Sequence, residues 1–293
     1  MPSTRELRRR IRSVRSTRQI TKAMELVSAS KMRRASEGAL ASRPYSHRLL
    51  EVVQDILHTD GIRETHPLLA VRPVFKVVAI AISSDQGLAG TYNSAVIRQS
   101  LAFAREQQAQ GRVVAFITWG RKVEQALVRA GIPVVQSYPH ASTHPLPSDT
   151  APLGTYLVEA FRSGQFDQVA LISTDFISML RQEVRQETLL PLGLASPQKG
   201  DEALQPVHAF TYEPSPAEVL TTLLPRLIEV RIFQALLESL ASEHSARCMA
   251  MKNATDNASD IIDDLTLTYN GVRQSAITQE IAEITSGAAA LSP

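Results

Sequence analysis

The sequence has little cysteine, few aromatic residues and no long hydrophobic run. Among its 293 residues Cys248 is the lone cysteine, so no intrachain disulfide can form, which fits a reducing compartment. The longest purely apolar run covers residues 77–82, whereas a transmembrane helix needs about 20 such residues. No apolar segment of roughly 7–15 residues follows the basic start, so we expect no secretory signal. Aromatic residues make up 5 %, so the core must be built mainly from Leu, Ile, Val and Ala.

The formal net charge of +2 hides an asymmetry between the two ends of the chain. Residues 1–48 hold thirteen Lys and Arg against three Glu, which leaves −8 for residues 49–293. Residues 241–293 hold three basic against seven acidic side chains. We therefore expect the two ends either to attract each other or to bind separate partners.

The first 57 residues have the pattern of one long helix. Apolar residues recur there in steps of three and four: Leu7, Ile11, Val14, then Ile20, Met24 and Val27. A helix from residue 4 to about residue 57 would be roughly 80 Å long. A shorter helix, broken near Gly38 or Pro44, is an equally good interpretation.

The middle of the chain alternates between strand and helix patterns. Buried strands are predicted at residues 74–83, 112–120, 132–138 and 168–174, with an edge strand at 182–190 and a last helix at 153–163. This alternation indicates a Rossmann-like α/β domain with an open, mainly parallel sheet. A solvated linker follows at residues 195–206.

The helical pattern returns from residue 216 to residue 290. A three-four repeat runs from Leu237 to Ala282 and includes Ala254, Ile261 and Thr268. Pro225 should kink or start this helix. A sustained repeat of this kind predicts a coiled coil, for which the long N-terminal helix of opposite charge is the obvious partner. The fold class is therefore α/β with a long coiled coil, and the predicted domains are residues 1–57, 72–206 and 207–293.

Motifs for catalysis are missing from the sequence. It contains no P-loop, and the loop SDQGLAG at residues 84–90 lacks the G-x-G-x-x-G of dinucleotide-binding proteins. We interpret this loop as a strand-to-helix turn capped by Asp85. His140 and His144 lie in a proline-rich loop without further ligands, so no metal site is expected. We predict no catalytic residue, no cofactor and no metal.

The basic N-terminus is compatible with three interpretations. Its arginines suit nucleic-acid phosphates, an anionic membrane surface or an organellar transit peptide. The helical pattern continues past residue 27 without a break in composition, which argues against a transit peptide. No nucleic-acid-binding domain or interleaved aromatic residue is present, although a basic coiled-coil nucleic-acid-binding protein stays the alternative interpretation.

Both ends of the chain carry long, specific motifs of one family. Residues 20–35 (ITKAMELVSASKMRRA), 235–258 (ALLESLASEHSARCMAMKNATDNA) and 265–291 resemble the gamma subunit of F-type ATP synthases. The loop at residues 84–93 is similar too, although Gln86 and Thr91 depart from the family pattern, as does Cys248 at the other end. The resemblance covers essentially the whole chain.

The resemblance implies a rotor shaft and not an enzyme. In that family the two terminal helices form an antiparallel coiled coil that turns inside a ring of three alpha and three beta subunits. The ring holds the catalytic sites, and the rotation couples proton flow to ATP synthesis or hydrolysis. The α/β domain would meet the epsilon subunit and the ring of c subunits. The chain would then be a peripheral protein on the cytoplasmic side of the cell membrane, held there only through the complex, with no transit peptide and no nucleic acid as partner.

The resemblance also assigns residues that contact the alpha/beta ring. They match the family motif at Lys22, Met24, Arg247, Arg273, Gln274, Thr278 and Glu280. Arg247 needs a carboxylate partner, which an acidic loop of a beta subunit would supply. An intrachain pair with Glu25 is the alternative.

Family similarity further places Met24 beside Arg247, which fixes a register for the coiled coil. Leu7 should then face Asp264 or Leu265, and Thr4 should lie near Leu267. The basic residues 5–18 would lie against the acidic residues 256–264. Beyond about Tyr269 the C-terminal helix would have no partner helix in the chain, so that its apolar residues would face other subunits.

Overall fold

A computed structural model describes residues 3–57, 66–139, 145–192 and 212–290, with side chains described as far as residue 286. The chain divides into two compact units, residues 1–28 with 247–293 and residues 29–246. The first is called the shaft unit below and the second the α/β unit. The predicted linker at 195–206 and both histidines of the proline-rich loop lie outside the described residues. The three-part domain division stays a prediction.

Five helices and five strands make up the described structure. In chain order they are α1 (Thr4–Leu57), β1 (Lys76–Ile82), α2 (Tyr92–Ala109), β2 (Val113–Trp119), α3 (Arg121–Arg129), β3 (Val134–Tyr138), α4 (Pro147–Arg162), β4 (Gln168–Phe176), β5 (Gln182–Leu190) and α5 (Pro216–Ala290). Among the described residues no helix is both long and apolar enough to span a membrane.

Helix α1 continues through both of its predicted break points. Within the α/β unit it packs against α5 just before Pro44: a side chain at Gly38 would touch Leu237, and the Arg43 guanidinium lies 3.3 Å from the Glu238 carboxylate. These contacts hold the helix where proline removes one backbone hydrogen bond. Of the two interpretations of the sequence, the continuous helix is therefore correct and the helix broken near Gly38 or Pro44 is wrong.

The start of α4 differs from the prediction, whereas α5 begins where the helical pattern returns. Helix α4 begins at Pro147 and not at residue 153, because a proline is favourable in the first turn and the Asp149 carboxylate accepts a hydrogen bond from the Leu146 amide at 2.8 Å. Helix α5 begins at Pro216, so Pro225 lies inside the helix and does not start it.

The sheet confirms the predicted fold class. Its strand order is β3-β2-β1-β4-β5, and every pair is parallel except β4 with β5, which forms an antiparallel edge. Side chains alternate between two apolar layers. Val77 and Ala79 of β1 pack with α2 and α3 on one face, and Val78 and Ile80 pack into a larger cluster on the other.

The larger cluster contains the inner ends of both long helices. Ile56 of α1 and Leu227 and Ile228 of α5 are fully buried there with Leu157 of α4. The sequence pattern did not foresee this, because it assigned residues 1–57 and 207–293 entirely to the coiled coil. About a third of α5 thus belongs to the core of an α/β fold.

The coiled coil of the shaft unit is antiparallel, as predicted, but its register differs. The Thr255 hydroxyl donates to the Thr21 hydroxyl at 2.8 Å, Arg8 donates to the Tyr269 hydroxyl at 2.7 Å, and Arg18 lies 3.4 Å from the Ser259 hydroxyl. The predicted register would have placed Thr21 opposite Ala250. The helices are therefore displaced by five to six residues from it, and Leu7 lies opposite residue 269, not opposite Asp264 or Leu265.

The contact face of the coiled coil follows the predicted stripe at Leu7 and Ile11 of α1, which are buried, but departs from it by one residue further along the helix. Thr21 and Ser28 are buried, whereas Ile20 and Val27 are 58 % and 55 % exposed. On α5 Ile262 is buried and Ile261 is 48 % exposed. Thr21 and Ser28 are spaced seven residues apart, as in a coiled-coil contact. The large apolar side chains next to them in the sequence lie on the surface.

The opposite charges of the two ends do not pair as predicted. Between basic residues 5–18 and acidic residues 256–264, all within the described chain, no ion pair forms. Arg10 pairs with Glu6 of its own helix, and Arg5, Arg9 and Arg12 are exposed to solvent. These arginines lie away from the contact face, so their charge is available to another molecule.

The end of α5 leaves the coiled coil near Tyr269, as predicted. Tyr269 still has its partner in Arg8, and every side chain from residue 273 to residue 286 is exposed. Ile277, Ile281 and Ile284 are the large apolar residues among them. This exposed segment, residues 273–286, is called the α5 tail below.

The register can be tested by crosslinking. In a Cys248→Ser background, Thr21→Cys with Thr255→Cys should form a disulfide under mild oxidation, because the two hydroxyl oxygens are 2.8 Å apart. Thr21→Cys with Ala250→Cys is the matched control and should stay reduced. A crosslink only in the control pair, read by gel mobility after proteolysis, would restore the register expected from family similarity.

Candidate functional site

The carboxyl ends of the parallel strands are the first place to look for a site. In open α/β sheets ligands bind in the crevice at these ends, where the strand order reverses. Here that point lies between β1 and its neighbours β2 and β4. The chain's own side chains and its C-terminal helix occupy it.

The N-terminus of α3, which would be a natural anion site, is saturated by the segment after β1. The Asp85 carboxylate accepts from the Arg121 amide at 2.9 Å, the Ser84 carbonyl from Lys122 at 3.1 Å, and the Ser83 hydroxyl from the Val123 amide at 3.0 Å. Asp85 therefore caps α3, which corrects the prediction that it caps the turn after its own strand. The N-cap of that turn, Thr91, makes no side-chain cap hydrogen bond to α2.

Gly120 makes this arrangement possible. It joins β2 to α3 with φ +96°, and a β-carbon there would lie 2.1 Å from the Ser83 carbonyl oxygen. Only glycine allows the backbone of β2 to pass so close to that of β1. The close passage in turn brings the first amides of α3 onto Ser83 and Asp85.

Helix α5 fills the crevice between β1 and β4. The Ser239 hydroxyl accepts from the Thr174 amide at 3.1 Å, and a β-carbon on Gly90 would contact the carbonyl of Ala246. Within the described residues no group of His, Cys, Asp or Glu side chains could hold a metal ion. The geometry of the α/β unit thus favours packing between its own elements over a ligand site.

The residues assigned to ring contact by resemblance fall into two groups. Arg273, Gln274, Thr278 and Glu280 are all exposed along the α5 tail, while Lys22 is exposed and Met24 half-buried on α1. Arg247 differs from them, because only 7 % of its surface is exposed. The observed register does not place Met24 opposite Arg247, so the pairing on which the predicted register rested is wrong.

Glu25, the proposed intrachain partner of Arg247, has an ion pair on its own helix. Its carboxylate lies 3.0 Å from the Lys22 ammonium. Burial raises the pKa of the nearby Cys248 thiol, and the negative charge of Glu25 raises it further. The thiol is therefore protonated at neutral pH and packs as a small apolar side chain.

The comparisons with known proteins agree over the whole chain. The family model described as "ATP synthase" matches residues 3–291. The ATP synthase gamma chain of Roseiflexus sp. (strain RS-1) is 44 % identical over 292 residues, and that of Pelotomaculum thermopropionicum is 46 % identical over 291 residues, each covering 99 % of this chain and at least 99 % of the relative. The chain belongs to the ATP synthase gamma chain family.

Solved structures of rotors have the same fold as this member of the gamma chain family. The central stalk of the Tetrahymena thermophila mitochondrial ATP synthase matches with a TM-score of 0.59 at 22 % identity, covering 80 % of this chain and 99 % of that one. A chain of the Euglena gracilis mitochondrial ATP synthase in rotational state 3 matches with a TM-score of 0.66 at 16 % identity, covering 98 % and 94 %. At these identities the likeness concerns the fold.

Family motifs alone missed the exposed apolar residues of the shaft unit. On α1 these are Ile20, Leu26 and Val27, and on α5 they include Ile261 and Leu267, whereas the exposed isoleucines of the tail were expected outside the coiled coil. A signal for them is present in the sequence, since two heptad-spaced rows run side by side on α1. One row begins Leu7, Ile11 and Val14 and continues through Thr21, and the other holds Ile20 and Val27.

Tyr269 makes a contact between the two helices at the end of the coiled coil where α1 begins. The Arg8 guanidinium donates to its hydroxyl and also lies 5.6 Å from the ring centroid. The hydrogen bond from Arg8 lowers the pKa of Tyr269. Beyond this contact the α5 tail has only its own helix to stabilise it.

We expect Asp85→Ala to destabilise the α/β unit by about 1–2 kcal/mol, the usual cost of losing a helix cap. Asp85→Asn should cost much less, because an amide oxygen can accept the same hydrogen bond from the Arg121 amide. Urea unfolding monitored by circular dichroism measures both. Equal losses for the two variants would show that the charge, through its pairing with the Arg121 guanidinium at 3.6 Å, matters more than the cap.

Proposed function

We propose that the chain is the central rotor of an F-type ATP synthase. It would couple proton flow across the membrane to ATP synthesis or hydrolysis on the alpha and beta subunits by rotating inside their ring. The observation that carries this proposal is a coiled coil whose large apolar and basic side chains point outward, on a chain of the gamma chain family. Such a surface needs partners on several sides.

The chain would act without a catalytic site of its own. The α3 N-terminus and the crevice beside β1 are both filled by internal hydrogen bonds, which supports a structural role for the α/β unit. The ATPase activity would therefore belong to the assembled complex. Purified chain should not hydrolyse ATP.

The exposed surface of the shaft unit is asymmetric, which a rotor requires. Helix α1 presents arginines near its start and Ile20, Leu26 and Val27 further along, whereas the α5 tail presents isoleucines with Glu280 and Glu283. Three equivalent ring subunits would each meet a different part of this surface. Differential contact of that kind is what shifts each subunit to a different conformation.

Contacts with the ring would be made by two sets of residues. Arg273, Gln274, Thr278 and Glu280 would meet it from the α5 tail, and Lys22 with the exposed apolar residues beside Met24 would meet it from α1. We keep Arg247 in the proposed contact set through its family motif. Because only 7 % of this residue is exposed, a partner carboxylate would have to approach it through the small part of its surface that solvent reaches.

The remaining partners follow from the relatives. The Tetrahymena match is a chain of a structure titled central stalk and c-ring, and the Euglena match one titled OSCP/F1/c-ring. By analogy the chain would bind three alpha and three beta subunits, an epsilon subunit and a c-subunit ring. It would associate with the cytoplasmic face of the cell membrane only through that complex.

Substitutions in the α5 tail test whether its exposed residues contact the alpha/beta ring or only stabilise the chain itself. Arg273→Ala with Glu280→Ala should change the free energy of unfolding of the isolated chain by no more than about 0.5 kcal/mol per site, because both side chains are exposed. In complexes reconstituted with alpha and beta subunits the same variant should lower ATPase activity or assembly yield.

The matched control is Arg98→Ala, an exposed arginine on α2 of the α/β unit. It should leave both stability and ATPase activity unchanged. If the tail variant behaves like this control in the complex, the proposed ring contacts are wrong. If the isolated chain hydrolyses ATP at a rate proportional to its concentration, the non-catalytic role is wrong.

A further inference from the structure

Three buried serines on α5 bind the β4–β5 hairpin through its main chain. Ser239, Ser242 and Ser245 are each inaccessible to solvent and stand three residues apart. The Ser239 hydroxyl accepts from the Thr174 amide at 3.1 Å, the Ser242 hydroxyl lies 3.4 Å from the Thr174 carbonyl, and Ser245 donates to the Met179 carbonyl at 2.9 Å. These serines are called the serine clamp below.

The serine clamp supplies hydrogen-bond partners to β4 at the point where strand β1 has already ended. Strand β1 stops at Ile82 and pairs with β4 only as far as Ile172, whereas β4 continues to Phe176. Thr174 therefore lies beyond the last residue of β4 that pairs with β1. A buried amide or carbonyl without a partner is costly, and Ser239 and Ser242 supply the two partners that a longer β1 would have given.

The hairpin turn is held by the last serine of the set. Gln182 at the start of β5 donates through its amide nitrogen to the Ser245 hydroxyl at 3.2 Å and to the Met179 carbonyl at 2.8 Å. The Ser245 hydroxyl therefore links the turn between β4 and β5 to α5 through both Met179 and Gln182.

Polar contacts take over where the apolar core ends. Leu240 and Ala241 are the last α5 residues in the large core cluster. The next turn is buried through Ser242 and Ser245, and α5 then continues without interruption past residue 247. The clamp therefore attaches α5 to the β4–β5 hairpin at the point where the helix passes beyond the apolar core.

Hydrogen bonds resist a rotation that apolar packing would permit. Apolar contact is non-directional, whereas a hydrogen bond weakens steeply when its angle changes. The three hydroxyls are spread around about a third of the helix circumference, because each step of three residues turns the helix by about 300°. Turning α5 about its axis would break all three bonds to the hairpin.

We propose that the serine clamp transmits torque between the sheet and α5. This inference rests on the proposed rotor function and identifies the place where torque would pass between the sheet and α5. Without the clamp, α5 would be held in the α/β unit mainly by apolar contacts and would twist further under load. The clamp would matter little when the rotor turns without load.

The test compares two sets of hydroxyls on the same helix. The clamp variant is Ser239→Ala, Ser242→Ala and Ser245→Ala, with Ser245→Ala alone as a milder version outside the apolar core. The control is Thr221→Ala with Thr222→Ala, whose exposed hydroxyls bond only to carbonyls of α5 itself, at 2.9 and 3.4 Å. Each variant is assembled into the complete enzyme in sealed vesicles.

Two readouts are needed. Hydrogen exchange of the Thr174 amide reports whether the clamp is broken, and its rate should rise about five-fold or more in the triple variant. The steady-state proton gradient sustained by ATP hydrolysis reports coupling under load. We expect it to fall in both clamp variants and not in the control, while the hydrolysis rate without a gradient stays unchanged.

The outcomes distinguish the clamp from the rotor function. Faster exchange at Thr174 with an undiminished gradient would overturn the clamp's role, and so would an equal loss of loaded and unloaded activity. If the unaltered chain and the threonine control also sustain no gradient, the rotor function itself is overturned and the clamp with it.

Discussion

Replacing Gly120 with alanine is expected to unfold the α/β unit or to destabilise it by more than about 4 kcal/mol. The new β-carbon would lie 2.1 Å from the Ser83 carbonyl oxygen and 2.7 Å from its carbon. Both atoms are backbone and cannot swing aside. The positive φ of +96° adds backbone strain to the collision.

The measurement is urea unfolding followed by the fluorescence of Trp119, the lone tryptophan, which is buried beside this turn and stacked on Tyr138. Two glycines serve as controls. Gly87→Ala meets no atom within 4 Å and should cost nothing, while Gly131→Ala meets no atom but has φ +70° and should cost about 1–3 kcal/mol. A Gly120→Ala variant no less stable than Gly131→Ala would contradict the close passage of β1 and β2.

Ile56→Ala should destabilise the chain by about 2–5 kcal/mol. Ile56 is fully buried among residues of α4, α5 and the sheet, so its removal leaves a cavity in the larger core cluster. Thermal unfolding of the isolated chain measures the loss. The result matters because Ile56 lies on a helix whose sequence looks like a coiled coil throughout.

Leu40→Ala on the same helix is the control. Leu40 is 58 % exposed, so its removal should change the free energy of unfolding by no more than about 0.5 kcal/mol. If the two substitutions cost the same, the inner end of α1 is not part of the α/β core, and the division of the chain into a shaft unit and an α/β unit is wrong.

The elements of this fold could be predicted from local pattern, but their boundaries were less reliable. The run at residues 77–82 predicts β1 because a strand covered on both faces is apolar throughout. The start of α4 was placed six residues late, since Pro152 suggested a break where the helix is in fact already formed. Pro147 and Asp149 carried the correct signal for its start.

Hydrophobicity predicted the contact face of the coiled coil at Leu7 and Ile11 but not further along α1. Thr21 and Ser28 are buried in it, while Ile20 and Val27 face solvent. Large apolar residues are ordinarily assigned to the helix–helix contact. Here Ile20 and Val27 lie beside the contact, so the usual assignment misplaces the contact face by one residue at these positions.

The register depends on particular pairs that no pattern specifies. Thr21 with Thr255 and Arg8 with Tyr269 become visible as partners only in three dimensions. Charge suggested another arrangement, but exposed ion pairs contribute little to stability and fix a register weakly. For the same reason Asp85 and the serine clamp could not be identified, since their partners are main-chain groups of distant elements.

Rotation of this chain within its complex tests the rotor function most directly. A complex with alpha and beta subunits is fixed to a surface, and a probe is attached to a cysteine introduced at the exposed Val135 of β3 in a Cys248→Ser background. We predict that ATP drives the probe in one direction, in three steps per turn. A probe that stays fixed while the same complexes hydrolyse ATP would contradict the rotor function.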